Sequence, residues 1–211
     1  MHDRHDDARD WDRFYTGDGD DVPHWSGQPN GTLVSEVSGL TPGTALDVGC
    51  GEGADAIWLA RQGWQVTAVD PSRVALDRAA AAARAVRVEV TWVNAGLLGM
   101  PDGPGSYDLV SAQYPVLLRT DEDAAITTLL RAVAPGGRLL FVHHQRDPAH
   151  AAEHGSDTAP YVMPADVEAH LDDGWEVEVH EARPRPGPVA HEAQHVRDLV
   201  LRARRLAVTT P

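Results

Sequence analysis

Leu46-Asp47-Val48-Gly49-Cys50-Gly51-Glu52-Gly53 is the stretch of sequence that decides the fold. The apolar residues that end at Val48 predict a buried strand, and the glycines that follow it predict a tight turn. Ile57 and Leu59 then lie on the helix that the turn opens. A strand, a glycine turn and a helix in this order predict a βα unit, whose helix N-terminus presents unpaired N–H groups to negative charge.

The rest of the chain repeats this alternation of strands and helices. A parallel sheet with helices on both faces follows from such a pattern. Residues 135–137 predict a turn before the fifth strand, and two alternating segments at the end of the chain predict an antiparallel hairpin. The other expected strands lie near residues 65–69, 86–93, 107–112, 138–143, 175–182 and 195–204, and the helices run to about residue 84, near 121–133 and near 165–171.

Length and composition predict one domain. The chain has 211 residues, of which 42% are hydrophobic, and a core of that size is ordinary for a single domain. Residues 1–30 are rich in aspartate, glycine and aromatic residues, so we interpret them as an N-terminal cap or lid on a domain of residues 31–211. A single cysteine, an acidic N-terminus and the lack of a long apolar run predict a cytoplasmic protein that does not enter membranes.

The charge of the chain excludes several functions. Its net charge is −14, from 32 acidic and 18 basic residues, and every basic residue is an arginine. Such a field repels phosphate backbones, so a nucleic-acid partner is disfavoured. Without lysine the chain has no Schiff-base chemistry, no P-loop lysine and no Tyr-x-x-x-Lys pair.

Two kinds of cofactor fit the glycine turn by itself. Gly49, Gly51 and Ala54 satisfy a loose dinucleotide fingerprint, and Asp70 ends the second strand where an acid would hold a ribose. Nicotinamide binding is therefore one interpretation.

Four ordered motifs, at residues 47–51, 66–72, 107–110 and 129–140, favour another interpretation. Together they resemble the class I S-adenosylmethionine-dependent methyltransferases. The resemblance covers about residues 25–205, and the segment 25–30 is similar to the small bacterial branch near the thiopurine and tellurite-resistance enzymes. It implies an α/β, Rossmann-like three-layer sandwich with seven strands, six parallel and one antiparallel.

The resemblance also implies the cofactor-binding residues. The glycine turn would lie against the methionine part of the cofactor, and the acid at the end of the second strand would accept bonds from the ribose hydroxyls. Gly96 stands where the family often has an aspartate for the adenine, which leaves the backbone of Ala95 and Gly96, or Asn94, for that contact. The cofactor residues implied are Asp47, Gly49, Cys50, Gly51, Asp70, Pro71, Ala95, Gly96 and Gln113.

The chain contains 11 histidines, and two stretches match metalloprotease patterns. We interpret both matches, at residues 150–154 and 191–195, as accidental, because such motifs need a helix that brings both histidines to one metal ion. The second match runs into an expected strand, where positions i and i+4 lie about 13 Å apart. The predicted topology nevertheless gathers histidines at the rim of the acceptor pocket, where one could act as a base or several could bind a metal ion. The candidate metal ligands are His143, His144, His191 and His195.

The expected function is S-adenosylmethionine-dependent methyl transfer to a small molecule with an S, O or N nucleophile. Transfer by direct displacement needs alignment and the exclusion of water, with help from a pocket histidine. The candidate catalytic residues are His143, His144 and Tyr114, and the candidate substrate contacts are Trp25, Tyr15 and His195. The alternative is a non-catalytic accessory protein that binds S-adenosylmethionine or a metal. The acceptor and the oligomeric state are left open.

Overall fold

The computed structural model describes residues 8–17, 23–100, 107–145, 160–186 and 197–207. The helices are α1 Ala8–Thr16, α2 Gly31–Val37, α3 Ala54–Arg61, α4 Arg73–Val86, α5 Ala124–Ala132 and α6 Pro164–Glu168. The strands are β1 Thr44–Val48, β2 Gln65–Asp70, β3 Thr91–Asn94, β4 Tyr107–Gln113, β5 Val133–His144, β6 Trp175–Pro184 and β7 Arg197–Arg205.

The seven described strands form one sheet in the order β3-β2-β1-β4-β5-β7-β6. The strands from β3 to β5 are paired in parallel, whereas β7 is antiparallel to both β5 and β6. The expected α/β sheet with an antiparallel hairpin at its end is therefore confirmed. All of the parallel strands end at the same edge of the sheet, and the glycine turn that follows β1 lies at this edge.

Two apolar layers, one on each face of the sheet, form the core. On one face Leu46 and Phe141 pack with Leu129 of α5, and on the other face Leu140 packs with Leu33 of α2. The central strands are buried on both faces, which explains their continuous apolar sequence.

Helix α4 shows why local sequence sets an element boundary. Ser72 begins it, because its Oγ accepts a bond from the N–H of Ala75 at 3.1 Å. The alanine-rich segment continues to Val86, and Arg87 ends it in the left-handed conformation with φ 58°. The expected strand at residues 86–93 is consequently wrong in its first half, and β3 begins at Thr91.

The expected turn at residues 135–137 lies inside β5. The pairing of β4 with β5 shifts there, so that Tyr107 pairs with Val133 and Leu109 pairs with Arg138. Gly136 has φ 84°, and a Cβ added to Gly137 would lie 2.9 Å from the carbonyl oxygen of Tyr107. Glycine therefore permits a bulge within the strand rather than a turn before it. In addition, α6 is shorter than the expected helix at residues 165–171.

Among the described residues no helix is long and apolar enough to cross a bilayer.

Candidate functional site

The turn after β1 is a left-handed glycine loop at the edge where the parallel strands end. Gly49, Gly51 and Gly53 have φ values of 69°, 52° and 80°, a conformation that favours glycine. The N–H groups of Gly49 and Cys50 both donate to the carbonyl oxygen of Val69, at 2.9 and 3.1 Å, and so tie the loop to β2. A Cβ added to Gly49 would meet nothing within 4 Å, so this glycine borders open space.

Asp70 at the end of β2 joins the glycine loop to the start of α4. Its Oδ2 accepts a bond from the N–H of Gly51 and its Oδ1 accepts one from the N–H of Ser72, both at 2.8 Å. Burial raises the pKa of Asp70, although these two bonds oppose the rise. Each carboxylate oxygen therefore still has a lone pair for a ligand.

The end of β3 lies beside Asp70. The side-chain amide of Asn94 donates to the carbonyl oxygens of Asp70 and Pro71, at 3.2 and 2.8 Å. The N–H of Ala95 donates to the carbonyl oxygen of Asp70 at 3.2 Å, and Gly96 then precedes a short 3-10 helix. Asn94 thus holds the two strand ends together, with its amide hydrogens in use.

Two buried acceptor atoms near β1 and β4 have no partner among the described residues. Asp47 pairs in register with Ser111, whose Oγ accepts a bond from the Gln113 amide at 3.1 Å. The Oδ2 of Asp47 and the Oε1 of Gln113 both lack a hydrogen-bond donor. Burial, then the nearby charges of Asp55 and Asp70, raise the pKa of Asp47 well above its ordinary value. The pair of open acceptors suits a ligand that brings N–H donors.

Cys50 is packed rather than reactive. Its Sγ lies 3.8 Å from the carbonyl oxygen of Gly51, and burial raises the pKa of the thiol well above its ordinary value. A thiol that stays protonated is a poor nucleophile.

A polar chain links α3 to the segment after β6. The carboxylate of Asp55 accepts two bonds from Asn30, from its backbone N–H and from its side-chain amide, each at 2.7 Å. The Oδ1 of Asn30 accepts a bond from Arg185 at 3.1 Å, and the Arg185 guanidinium lies 4.9 Å from the ring centroid of Tyr114. Burial raises the pKa of Asp55, with the bonds from Asn30 opposing it.

Aromatic residues of the N-terminal segment lie over the glycine loop. The indole N–H of Trp25 donates to the hydroxyl oxygen of Tyr15 at 3.3 Å, and a Cβ added to Gly51 would lie 2.8 Å from that oxygen. Phe14 and His24 pack in the same cluster, with ring centroids 4.2 Å apart. Tyr15 is buried, whereas Trp25 is 54% exposed.

Glu52, inside the glycine loop, fastens this segment. Its two carboxylate oxygens accept bonds from the backbone N–H groups of His24 and Trp25, both at 2.9 Å, and Oε1 also pairs with Arg78 at 2.8 Å. Burial alone would raise the pKa of Glu52, but these bonds and the arginine charge outweigh it and lower the pKa.

Tyr114 and His144 meet on the other side of the site. Tyr114 directly follows β4 with φ 53°, and its ring stacks on His144 with centroids 4.0 Å apart. Its hydroxyl group lies 3.0 Å from both carboxylate oxygens of Asp198, and the Nδ1 of His144 lies 4.0 Å from one of them. The predicted neighbourhood of the β5 end and the β7 start is confirmed by the pairing of His144 with Asp198.

The described residues do not support the metal interpretation. Successive side chains of a strand point to opposite faces, and the rings of His143 and His144 stand 6.2 Å apart at 89°. The Nδ1 of His143 accepts a bond from the backbone N–H of His144 at 2.9 Å. In the described ranges no group of three or more histidine, cysteine or acidic residues is arranged to hold a metal ion. His191 and His195 lie outside the described residues.

The structure thus brings most of the sequence-derived candidates to one edge of the sheet and adds others. Sequence reasoning missed Glu52, Asp55, Arg185 and Asp198. Asp198 carried a detectable signal, because it lies two residues before the buried Val200 on the same face of β7. No pattern in the sequence pointed to Arg185, since it follows a strand in a proline-rich stretch.

Known proteins share part of the sequence of this chain. Residues 45–137 match the family described as "Methyltransferase domain". The ubiquinone biosynthesis O-methyltransferase of Alkalilimnicola ehrlichii is 34% identical over 114 residues, which are 53% of this chain and 46% of that protein. The chain spans about half the length of the curated relatives that it matches first.

Solved structures share the fold over more of the chain. A structure from work on the conversion of a disulfide bond into a thioacetal group during echinomycin biosynthesis has a TM-score of 0.74 and 24% identity, and the match covers 96% of this chain and 94% of that one. Magnesium protoporphyrin IX methyltransferase from Synechocystis, with bound S-adenosylhomocysteine, has a TM-score of 0.62 and 20% identity, with 82% and 79% covered.

Proposed function

We propose that the chain is a class I S-adenosylmethionine-dependent methyltransferase and that it transfers a methyl group to a small-molecule acceptor. When bound, S-adenosylmethionine supplies a methyl group that is activated by a sulfonium centre. The chain's own residues then have to bind that cofactor, align the acceptor and exclude water.

The pair of open acceptor atoms on Asp47 and Gln113 carries this proposal. A buried acceptor without a donor costs about 1–3 kcal/mol, so a ligand that brings N–H groups offsets the loss. The ammonium group of S-adenosylmethionine is such a donor, and its positive charge suits the acids around the loop. Gly49 follows β1 directly and borders open space, which we assign to the methionine part.

Asp70 is proposed to hold the ribose. Its two oxygens are fixed by Gly51 and Ser72 and keep lone pairs for two hydroxyl donors. Because the Asn94 amide hydrogens and the Ala95 N–H are in use, the carbonyl oxygen of Ala95 and the backbone of Gly96 are assigned to the adenine. Pro71 and Cys50 are assigned to the walls of this cofactor site.

The acceptor side is proposed to lie between the N-terminal segment and Tyr114. Residues 1–30 act as the lid, with Tyr15 and Trp25 covering the glycine loop, and residues 31–211 form the catalytic domain. His144 is assigned to take a proton from an O–H or N–H acceptor, whereas a thiolate needs no such help. The O-methyltransferase names of the relatives make hydroxyl compounds the first acceptors to test.

Calorimetry with S-adenosylhomocysteine tests the cofactor site. We expect the wild type to bind it and Asp70→Ala to weaken binding by about 1.5–3 kcal/mol, through the loss of charge-assisted bonds. Asp77→Ala is the matched control, because Asp77 lies on the exposed side of α4 in an ion pair with Arg73. Equal affinities of the two variants would contradict the ribose assignment, and binding of NAD instead would favour an oxidoreductase.

Release of S-adenosylhomocysteine from S-adenosylmethionine tests the activity. Phenols, thiols and heteroaromatic amines are offered in turn, each with and without chelator. Turnover of one class would name the acceptor atom. Cofactor binding with no turnover of any class would favour the non-catalytic accessory protein.

A further inference from the structure

Asp198 is a fully buried carboxylate beside the proposed acceptor pocket that the function described above does not use. It lies at the start of β7 with no exposed surface. Its Oδ2 accepts a bond from the Thr32 hydroxyl at 2.6 Å, and both of its oxygens lie 3.0 Å from the Tyr114 hydroxyl. Since a carboxylate only accepts, both hydroxyl groups must donate to it.

This arrangement fixes the direction of the Tyr114 proton. A phenol has one hydrogen, and here that hydrogen is committed to Asp198, so the phenol oxygen presents only lone pairs to any third group. Burial, followed by the charge of Asp198, raises the pKa of Tyr114, so the group keeps its proton at neutral pH.

The backbone holds the ring in one place. Tyr114 adopts a left-handed conformation with φ 53°, which costs a non-glycine residue about 1–3 kcal/mol, and its N–H donates to the carbonyl oxygen of Val142 at 2.8 Å. The ring stacks on His144, and Arg185 lies over it. A strained residue held from several sides is typical of a functional position.

The position of Tyr114 joins it to the cofactor side. It directly follows Gln113, whose Oε1 is one of the two open acceptor atoms. The charged groups near the phenol are Asp198 from β7, Arg185 after β6 and Asp55 of α3. An oxygen lone pair in this setting attracts a donor hydrogen.

We propose that Asp198 is a positioning residue that makes Tyr114 a hydrogen-bond acceptor, so that the pocket selects methyl acceptors whose nucleophilic atom carries a hydrogen. The inference rests on the proposed function and deepens it by naming a substrate class. Hydroxyl compounds and thiols donate to Tyr114 when they bind, and during methyl transfer the hydrogen leaves as a proton to His144, whose ring stacks on Tyr114. Their methylated products have lost that hydrogen, so the same contact favours product release.

Matched pairs of probe compounds test the inference by calorimetry. Phenol is compared with anisole, and thiophenol with thioanisole, because each pair differs by the replacement of the donor hydrogen with a methyl group. We expect the wild type to bind the hydrogen-bearing member about tenfold more tightly. Tyr114→Phe and Asp198→Asn should each reduce the preference to about twofold or less, because an asparagine amide can also donate to the phenol oxygen and frees the direction of its proton.

Non-additivity separates positioning from a merely structural role. If Asp198 acts through Tyr114, the double variant should show no further loss, since contacting residues couple in a double-mutant cycle. Thr32→Val is the matched control: it removes the other hydroxyl bond to Asp198 but leaves the Tyr114 bond, so it should keep the preference. Thermal unfolding of every variant shows that it is folded.

Several results would overturn the inference. One is equal wild-type affinity for the two members of both pairs. Another is no wild-type binding of any probe at millimolar concentration. The third is an equal loss of preference in Thr32→Val and Asp198→Asn. The titrations are run with and without S-adenosylhomocysteine. A folded protein that does not bind S-adenosylhomocysteine would count against the proposed function, while the probe comparison would still decide the role of Asp198.

Discussion

The glycines of the loop after β1 all adopt the left-handed backbone conformation, but for different reasons. A Cβ added to Gly53 would lie 2.7 Å from Ala79 and from Trp92, so this glycine allows helix α3 to pack closely. A Cβ added to Gly49 would meet nothing, so packing does not require a glycine there. At Gly49 the requirement comes from the left-handed backbone and, in our proposal, from the ligand.

Gly49→Ala should therefore weaken cofactor binding out of proportion to its cost in stability. Gly136→Ala is the matched control, because Gly136 also has a positive φ and open space around it but lies far along the sheet in the β5 bulge. Each substitution should lower the free energy of unfolding by about 1–2 kcal/mol. Only Gly49→Ala should weaken S-adenosylhomocysteine binding, by about tenfold or more. Denaturant unfolding and calorimetry check this, and equal binding by both variants would contradict it.

At the scale of elements, two acids fasten the N-terminal segment to the edge of the sheet at which the parallel strands end. The carboxylate of Asp12 on α1 accepts bonds from the Ser72 hydroxyl at 2.7 Å and from the N–H of Val74 at 3.1 Å, and so caps the first turn of α4. Glu52 holds the backbone of His24 and Trp25. Both anchors lie on the segments that flank Asp70, so the proposed lid and the proposed cofactor site are held by the same contacts.

Glu52→Ala should loosen the segment without unfolding the domain. The amide hydrogens of His24 and Trp25 lose their acceptor, so their exchange with deuterium should accelerate by about tenfold or more. Amides of β1 and β4 should exchange as in the wild type. Glu176→Ala, which removes an exposed ion pair with Arg204, serves as the control. If the two variants exchange alike at residues 24 and 25, Glu52 does not anchor the lid.

At the scale of the whole molecule, buried acids set the pH dependence of stability. Burial raises the pKa values of Asp47, Asp55 and Asp70 in the folded chain, so the folded state binds more protons than the unfolded state above about pH 4. Stability contributed by these groups is therefore lost as pH rises from the ordinary aspartate pKa through the raised one. Glu178 acts in the opposite sense, because its pKa is lowered and its stabilisation is lost only as pH falls.

Asp47→Asn should consequently stabilise the ligand-free protein at pH 7. The amide has no charge to bury, so the gain over the wild type should shrink as pH falls towards the ordinary aspartate pKa. The same substitution should weaken S-adenosylhomocysteine binding, since it removes the carboxylate that we propose faces the ammonium group. Denaturant unfolding between pH 4 and 8 measures the difference. A gain that does not change with pH would show that Asp47 is not a destabilising charge.

The order of elements could be predicted from the sequence because apolar periodicity and glycine turns are local signals. The βα unit around residues 44–61 and the hairpin of β6 and β7 follow from patterns that span only a few residues. The sequence does not predict that α4 continues to Val86, because helix propensity and strand propensity compete there. The left-handed cap at Arg87 decides where the helix ends. The β5 bulge was missed for a similar reason, since it depends on a neighbouring strand.

The sequence by itself determined the fold class, the glycine loop and the acid that ends β2, because each depends on patterns of residues that are adjacent in the chain. Only the tertiary structure decided which side chains meet across the cofactor edge. The bond between Tyr114 and Asp198 joins residues 84 positions apart, and that between Thr32 and Asp198 joins residues 166 apart. Strand pairing and helix packing create such contacts in three dimensions, and no local pattern in the chain encodes them.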